Sequence, residues 1–374
     1  MKKILYISLL DWYFTKQRPQ HIAELLSEKN EVRYLCRASW RTKHIKKHDQ
    51  NEEIHNYFDI SDTLHIERIK YLPLNKYRAI SVINDFFYKL AVENNIKKYQ
   101  PDILWLTHPD HYNLIPQNFQ GKIIYDCMDN YSQFYRDNDK KTRINQQEKK
   151  LVNKSDLVIT SSYGLKEKIS LISVKTQVET IKNAADFTYF YNYFASSSLK
   201  EKPVELNKGK KIVGYFGGIS NWFDIDTLVY TAQKHKECDF VIIGPLSDVN
   251  IVAKASNIEN IIFIGPKIYN ELAKYLYHFD VCIMPFVVNE LIKDVNPIKL
   301  YEYLSMGKPV VVPQYDEILE FQEYVYFAQN QEDFSKKLQE ALEENNSQFY
   351  EKRIEFAKKN TWRSRIDEIN KFIN

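Results

Sequence analysis

Residues 294–313 read DVNPIKLYEYLSMGKPVVVP, and three side chains there could do chemistry together: the carboxylates of Asp294 and Glu302 and the ammonium of Lys299. Asn296 can cap a helix, and Pro297 suits its first position because it has no N–H to leave unpaired. The residue before a proline is also pushed out of the α region, which places the boundary at Asn296. At ~100° per residue Leu300, Tyr301 and Leu304 share one side, and Lys299 and Glu302 the other. A helix N-terminus carries unpaired N–H groups and a partial positive charge, so it attracts phosphate, and Lys299 adds a full charge there. The segment is therefore expected to floor a nucleotide-diphosphate site. The Lys-Glu spacing also fits an ordinary solvated helix. The sequel favours the site: Gly307 ends the helix, and Lys308-Pro309 leads into Val310, Val311 and Val312, which read as a buried parallel strand.

The elements that must position these groups follow from the rest of the chain. At 374 residues, two domains are expected from ~150 residues per domain. A composition of 44% hydrophobic and 27% charged residues is that of a globular enzyme, and a net charge of +3 demands no nucleic-acid partner. Cys36, Cys127, Cys238 and Cys282 form no CxxC pair, and three of them sit in or beside apolar runs, as reduced core thiols of a cytoplasmic protein do. The opening MKKILYISLLDW has no small-residue cleavage site and reads as a first strand rather than a signal peptide. No apolar stretch approaches the ~20 residues of a membrane span. The protein is expected in the cytoplasm, touching the inner face of the membrane at most.

Strands are expected at 4–10, 31–35, 103–107, 122–127, 155–160 and 178–181, and helices at 20–29, 85–99 and 142–153. Ligand groups gather beyond the carboxyl ends of such strands, which places His108, Asp126, Asp129, Ser161 and Asn183 on one rim. Residues 37–48 (RASWRTKHIKKH), opening with Arg37 and closing with His48, form a basic run that fits a solvated face or a seat on anionic lipid. Residues 193–210 lose periodicity and gain Ser, Lys and Pro, marking a linker. The alternation then restarts with strands at 211–216, 239–243, 261–264 and 281–286 and helices at 225–236 and 271–278. Two α/β halves joined by one linker suggest two doubly wound domains facing a cleft. Beyond 331 the tail is amphipathic, with Trp362, Ile366, Ile369 and Ile373 at helical spacing.

Gly217-Gly218, at the end of the 211–216 strand, would let backbone N–H groups approach a phosphate, although a tight turn explains them equally well. The sequence there is neither GxGxxG nor a Walker loop, which disfavours NAD binding and ATP hydrolysis.

The block KLYEYLSMGKPVVVP, with an acid eight residues before Glu302, resembles the retaining glycosyltransferases of the GT4 family, which have the GT-B fold. Their signature is two acids separated by seven residues; here they are Asp294, where the family usually has Glu, and Glu302. Further matches are Asp156-Leu157-Val158 with Ser161-Ser162, and Asn183-Ala184-Ala185-Asp186 with Phe190. Trp12, Gln17-Arg18-Pro19-Gln20, Tyr125-Asp126-Cys127-Met128-Asp129 and Trp222-Phe223-Asp224 are closer to the TuaH-like branch, which builds cell-surface polysaccharides. The resemblance spans nearly the whole chain.

It implies a GT-B enzyme: an acceptor-binding Rossmann-like domain over 1–195, a linker over 196–210, a nucleotide-sugar-binding domain over 211–355, and a helix over 356–374 returning to the first domain. It implies that Glu302 accepts hydrogen bonds from the ribose hydroxyls and that Asp294 holds hydroxyls of the donor sugar. Lys299 and the helix start at Pro297 and Ile298, opposite Gly217-Gly218, would neutralise the diphosphate, and the turn at Pro266-Lys267-Ile268 would hold the base. No metal is expected, because fixed positive charge serves the leaving group. The donor is expected to be a UDP-sugar, the acceptor a glycan or lipid-linked hydroxyl, and the acceptor base Asp129, Asp126 or His108. The sequence departs from the family pattern twice. The stretch ISNWFDIDT after Phe216 lacks the Arg and Lys many relatives carry, leaving more of the phosphate work to Lys299, with Lys267 or Lys293 as helpers. No Gly follows Asn183. Rival readings are a nucleotide-sugar epimerase of the same fold and a non-catalytic partner in a glycan-assembly complex.

Overall fold

The computed structural model describes residues 1–38, 55–73, 77–196, 200–206, 209–247 and 249–373. The chain divides into Met1–Lys182 with Ile366–Asn374, and Asn183–Arg365.

The first unit is built on eight strands: β1 (Lys3–Ser8), β2 (Glu31–Arg37), β3 (Tyr57–Ser61), β4 (Leu64–Ile69), β5 (Ile103–Leu106), β6 (Lys122–Cys127), β7 (Leu157–Thr160) and β8 (Gln177–Thr180). Their order is β3-β4-β2-β1-β5-β6-β7-β8, and every pair is parallel except the β3–β4 hairpin at the edge. The central strands are continuous apolar runs because helices cover both sheet faces. On one face Tyr6 stacks between Tyr34 and Trp105, with ring centroids 5.4 and 5.5 Å away. All four cysteines are buried and free. The C-terminal Trp362–Ile373 helix ends in this unit, where Lys2 Nζ donates to the Ile373 carbonyl at 2.5 Å.

The second unit carries β9 (Lys211–Phe216), β10 (Cys238–Ile243), β11 (Ile261–Gly265), β12 (Val281–Ile283), β13 (Val310–Pro313) and β14 (Tyr326–Ala328), all parallel, in the order β11-β10-β9-β12-β13-β14. From β9 the chain builds outward through β10 and β11, then crosses to lay down β12 on the other side. Strand order thus reverses between β9 and β12, where an open α/β sheet forms its ligand crevice. Gly214, inside β9, admits a ring: a Cβ there would lie 2.0 Å from Phe279 Cδ2.

The division between units falls at Lys182, ahead of the 196–210 segment expected as a linker. The Phe187–Ala195 helix, capped by Asp186 through the Tyr189 N–H at 3.1 Å, explains this. It buries Phe190 in the second core beside Phe216 and Tyr269. Two helices begin at least a turn earlier than expected. Asp137 caps Asn138–Lys154 through the N–H groups of Asp139 and Lys140. The Arg78–Tyr99 helix runs well ahead of the expected start at 85, because its first turns point apolar residues outward. Of the basic run, Arg37 closes β2, while residues 39–48 lie outside the described residues. No described helix is long and apolar enough to cross a membrane.

Candidate functional site

At the carboxyl ends of β9, β10 and β11 the backbone closes on itself through three glycines. Gly217 (φ +149°) donates its N–H to the Ile243 carbonyl at 2.8 Å, and Gly244 donates to the Gly265 carbonyl at 3.0 Å. Gly244 (φ +147°) has no room for a side chain, since a Cβ would lie 1.8 Å from the Gly217 oxygen. Gly217 is left without one for a different reason. Its Cβ would lie 1.8 Å from Lys299 Cε and 2.7 Å from Lys299 Nζ. The Lys299 ammonium thus rests on the Gly217 backbone, and a cation stands at the sheet's reversal point.

The Ile298–Leu304 helix is fixed there by its own side chains. The Phe216 N–H donates to Tyr303 Oη at 3.1 Å, and the two rings meet edge to face at 4.8 Å. The turn beyond Gly217 is held by the Gly218 carbonyl, which accepts from Tyr215 Oη at 2.9 Å and from Trp222 Nε1 at 3.1 Å.

One expectation about this helix needs correcting. Pro297, at extended φ/ψ, stands at the N-cap position, and the helix starts at Ile298. Asn296 does not cap it, because its side chain is used elsewhere: Oδ1 accepts from the Asn183 N–H at 3.0 Å and from Tyr301 Oη at 3.2 Å. The Asn296 carbonyl in turn accepts from Asn183 Nδ2 at 2.6 Å. Asn183 therefore braces this loop and belongs to the second unit. Glu302 does not face solvent, which sets aside the reading of an ordinary solvated helix. It is 4% exposed, and burial raises its carboxyl from 4.5 to about 7. Lys299 and the nearby Tyr269 hydroxyl pull the value down, and Asp186 pushes it up. Keeping a carboxylate in such surroundings is costly, which makes Glu302 a candidate functional group.

Asp294 ends a short turn, Ile292–Asp294, and stays partly exposed. Ile268 stands at the N-cap of the Tyr269–Tyr277 helix, which carries Tyr269 toward Glu302. Neither Lys267 nor Lys293 joins Lys299. Lys267 Nζ pairs with Glu205 at 2.8 Å over the Tyr275 ring, and Lys293 pairs with Glu290 at 2.7 Å. Tyr269 and Gly244 were missed in the sequence. Gly244-Pro245 was legible as a strand end, but nothing marked its contact with Gly217, and Tyr269 is one of 27 tyrosines.

In the first unit the three acceptor-base candidates separate by burial. Asp126 is fully buried and paired with Arg18, whose Nε lies 3.0 Å and Nη2 2.9 Å from Oδ1. Arg18 Nη1 also donates to the Ile181 carbonyl at 2.8 Å. Asp126 is thus a structural anion clamped by a permanent cation, not a rim base. Asp126→Asn is expected to lower stability by about 2 kcal/mol in a melting experiment, while turnover per folded molecule stays within about twofold. His108 is also buried, and its Nδ1 accepts from the Asp110 N–H at 3.2 Å. Burial lowers this imidazole to about 4, leaving it neutral and weakly basic. Ser161 is buried, donating to the Met128 carbonyl at 2.7 Å. Of the three, Asp129 keeps partial exposure.

Residues 210–344 match the family model described as Glycosyl transferases group 1. Over 96% of this chain and 93% of its own length, TuaH of Bacillus subtilis (strain 168), named as a proposed teichuronic acid biosynthesis glycosyltransferase, is 23% identical. Sucrose-phosphate synthase from Thermosynechococcus elongatus superposes with a TM-score of 0.75 at 15% identity, covering 100% of this chain and 98% of that one. Anabaena Alr3699/HepE, solved with UDP and glucose, gives 0.68 at 12% identity, covering 99% and 100%. The fold is GT-B.

Proposed function

We propose that this chain, a glycosyltransferase with a group 1 domain in its second unit, moves a sugar from a nucleotide-sugar to a hydroxyl of a glycan or lipid-linked acceptor, with retention, as its GT4 resemblance implies. A UDP-linked donor and a role in surface polysaccharide synthesis are favoured. HepE was solved with UDP and glucose, and the TuaH relative is named for teichuronic acid. The observation that carries the reading is Lys299 seated on Gly217 at the sheet's reversal, one helical turn from the buried Glu302 carboxylate. In transfer, the bond between the sugar's anomeric carbon and the diphosphate oxygen breaks, and a bond from that carbon to the acceptor oxygen forms. The electron pair leaves with the diphosphate, whose charge Lys299 stabilises in place of a metal. The acceptor proton passes to a base, for which Asp129 is the candidate. Glu302 grips the ribose hydroxyls, and Asp294 holds the sugar.

The deciding experiment incubates the protein with UDP-, GDP- and dTDP-sugars, with and without lipid-linked acceptor, and measures free nucleoside diphosphate. Release that increases with acceptor supports transfer. Interconversion of the sugar without release would mean an epimerase, and failure to bind any donor would leave a non-catalytic partner. Asp294→Asn is expected to cut turnover about tenfold and to blunt discrimination between epimeric sugars, with nucleotide affinity unchanged. Normal turnover would remove Asp294 from the sugar.

A further inference from the structure

The first unit buries an acid to which the transfer reaction gives no task. Glu148, on the Asn138–Lys154 helix, is 1% exposed. Its Oε1 accepts from Tyr125 Oη at 2.9 Å and lies 3.8 Å from Cys127 Sγ, both residues of β6. Its Oε2 pairs with Lys168 Nζ at 2.7 Å. A carboxylate held out of water needs that cation, because a buried charge left alone is costly. A purely structural pair would end there. Lys168 has a second contact: the same ammonium donates to Asn130 Oδ1 at 2.9 Å. Asn130 directly follows Asp129, the acceptor-base candidate.

The loop leaving β6 is tied down on both sides of Asp129. The Ser161 N–H donates to the Cys127 carbonyl at 3.1 Å, and Ser161 Oγ donates to the Met128 carbonyl at 2.7 Å. Beyond it, the Asp129 carbonyl accepts from the Tyr131 N–H at 3.0 Å. The Asn130 side chain adds a further hold, since Oδ1 accepts from Ser132 Oγ at 3.2 Å as well as from Lys168. Asn130 is 7% exposed, whereas its neighbour Asp129 reaches partial exposure. Lys168 is itself well placed, on the Tyr163–Ser170 helix that Ser162 caps through the Leu165 N–H at 3.2 Å. β6 and two helices thus meet at one cation, one residue from Asp129. That position matters because a base acts only within hydrogen-bond reach of its proton, and small misplacements cost large factors in rate.

We propose that Lys168, seated on Glu148, is a positioning residue for sugar transfer: through Asn130 it holds the loop that presents Asp129 to the acceptor hydroxyl. The proposal rests on the reading of Asp129 as the acceptor base. In the step the acceptor O–H bond breaks and its proton passes to an Asp129 carboxylate oxygen. The freed electron pair forms the bond to the anomeric carbon, and the old bond's pair leaves with the diphosphate. Glu148 and Lys168 exchange no proton and touch no substrate. Acceptor-dependent release of nucleoside diphosphate is measured for Asn130→Ala, Lys168→Met, Lys168→Arg and Asp129→Asn. Asn130→Ala leaves the Glu148–Lys168 pair intact, so the fold is kept. Its kcat is expected to fall at least about tenfold, with the donor KM within about twofold of wild type. Lys168→Met should lose at least as much, and Lys168→Arg, which keeps the cation, should return to within about threefold of wild type. Adding Asn130→Ala to Asp129→Asn should cost little beyond Asp129→Asn alone, because both act on one group. Wild-type kcat in Asn130→Ala, with Asp129→Asn slow, would overturn the proposal and leave Asp129 as the base. So would losses that simply multiply. Wild-type kcat in Asp129→Asn would instead remove the base itself, and the proposal with it.

Discussion

Glu302→Ala is expected to weaken binding of the nucleoside diphosphate by ~1.5–3 kcal/mol, the value of a hydrogen bond to a charged group. Titration calorimetry checks it. The wild-type affinity should also depend on pH in a way that Glu302→Gln removes. The buried carboxyl titrates near 7, and in the proposed site ribose hydroxyls would donate to its ionised form. Affinity therefore rises about tenfold per pH unit up to about 7 and then levels. The terminal phosphate of the ligand titrates in the same range, so the difference between wild type and Glu302→Gln isolates the protein group. An unchanged affinity in folded Glu302→Ala, or the same pH slope in Glu302→Gln, would remove Glu302 from the nucleotide site.

The same carboxyl makes a statement about stability. Its folded value lies above its ordinary 4.5, so between 4.5 and about 7 the folded state holds a proton that the unfolded chain has lost. Stability contributed by this group is then greatest below 4.5 and falls as pH rises to about 7, by roughly 3 kcal/mol in all. Urea unfolding of wild type and Glu302→Gln at pH 5 and pH 8 should differ in that sense, the variant gaining relative to wild type at the higher pH. Such a cost, carried at neutral pH, is what a group serving a binding site would show.

How much of this was legible depended on whether a residue's role is local. Val310 to Val312 could be read as a buried strand because an uninterrupted β-branched run behind a glycine has few other uses. Gly217-Gly218 marked a strand end for a similar reason. Asn296 was misread because its caps-or-not choice is made by Asn183, a residue remote in sequence that takes its side chain. The burial of Glu302 could not be read from periodicity, which reports one helix alone. Tyr269 and Asp186, both remote in sequence, act on its carboxyl. Asp126 looked like a rim carboxylate until Arg18, from the Arg18–Ser27 helix, was seen to cover it. The β3–β4 hairpin was missed because its first strand is an exposed edge with no apolar face to alternate. For Asn296 and Asp126 the misreading lay in a partner supplied from far along the chain.

Lys299→Ala is expected to lower turnover by ~10²–10³, the usual cost of removing a fixed charge from a developing anion. The ammonium's neighbours in the fold make this sharper than a charge argument alone. Lys267 and Lys293 are each occupied by a glutamate, so neither is placed to substitute. Affinity for nucleoside diphosphate should fall with turnover, whereas affinity for the uncharged nucleoside should not, which separates a lost phosphate contact from a disturbed fold. Gly217→Ala supplies the geometric test. A methyl group at φ +149°, 1.8 Å from Lys299 Cε, must push the side chain off its seat. The variant should lose at least about tenfold in turnover, with Lys299 still present. If Lys299 acts from this seat, combining Gly217→Ala with Lys299→Ala adds little to Lys299→Ala, because both remove one interaction. Full activity in Gly217→Ala, or losses that simply add, would show that the cation works from somewhere other than the end of β9.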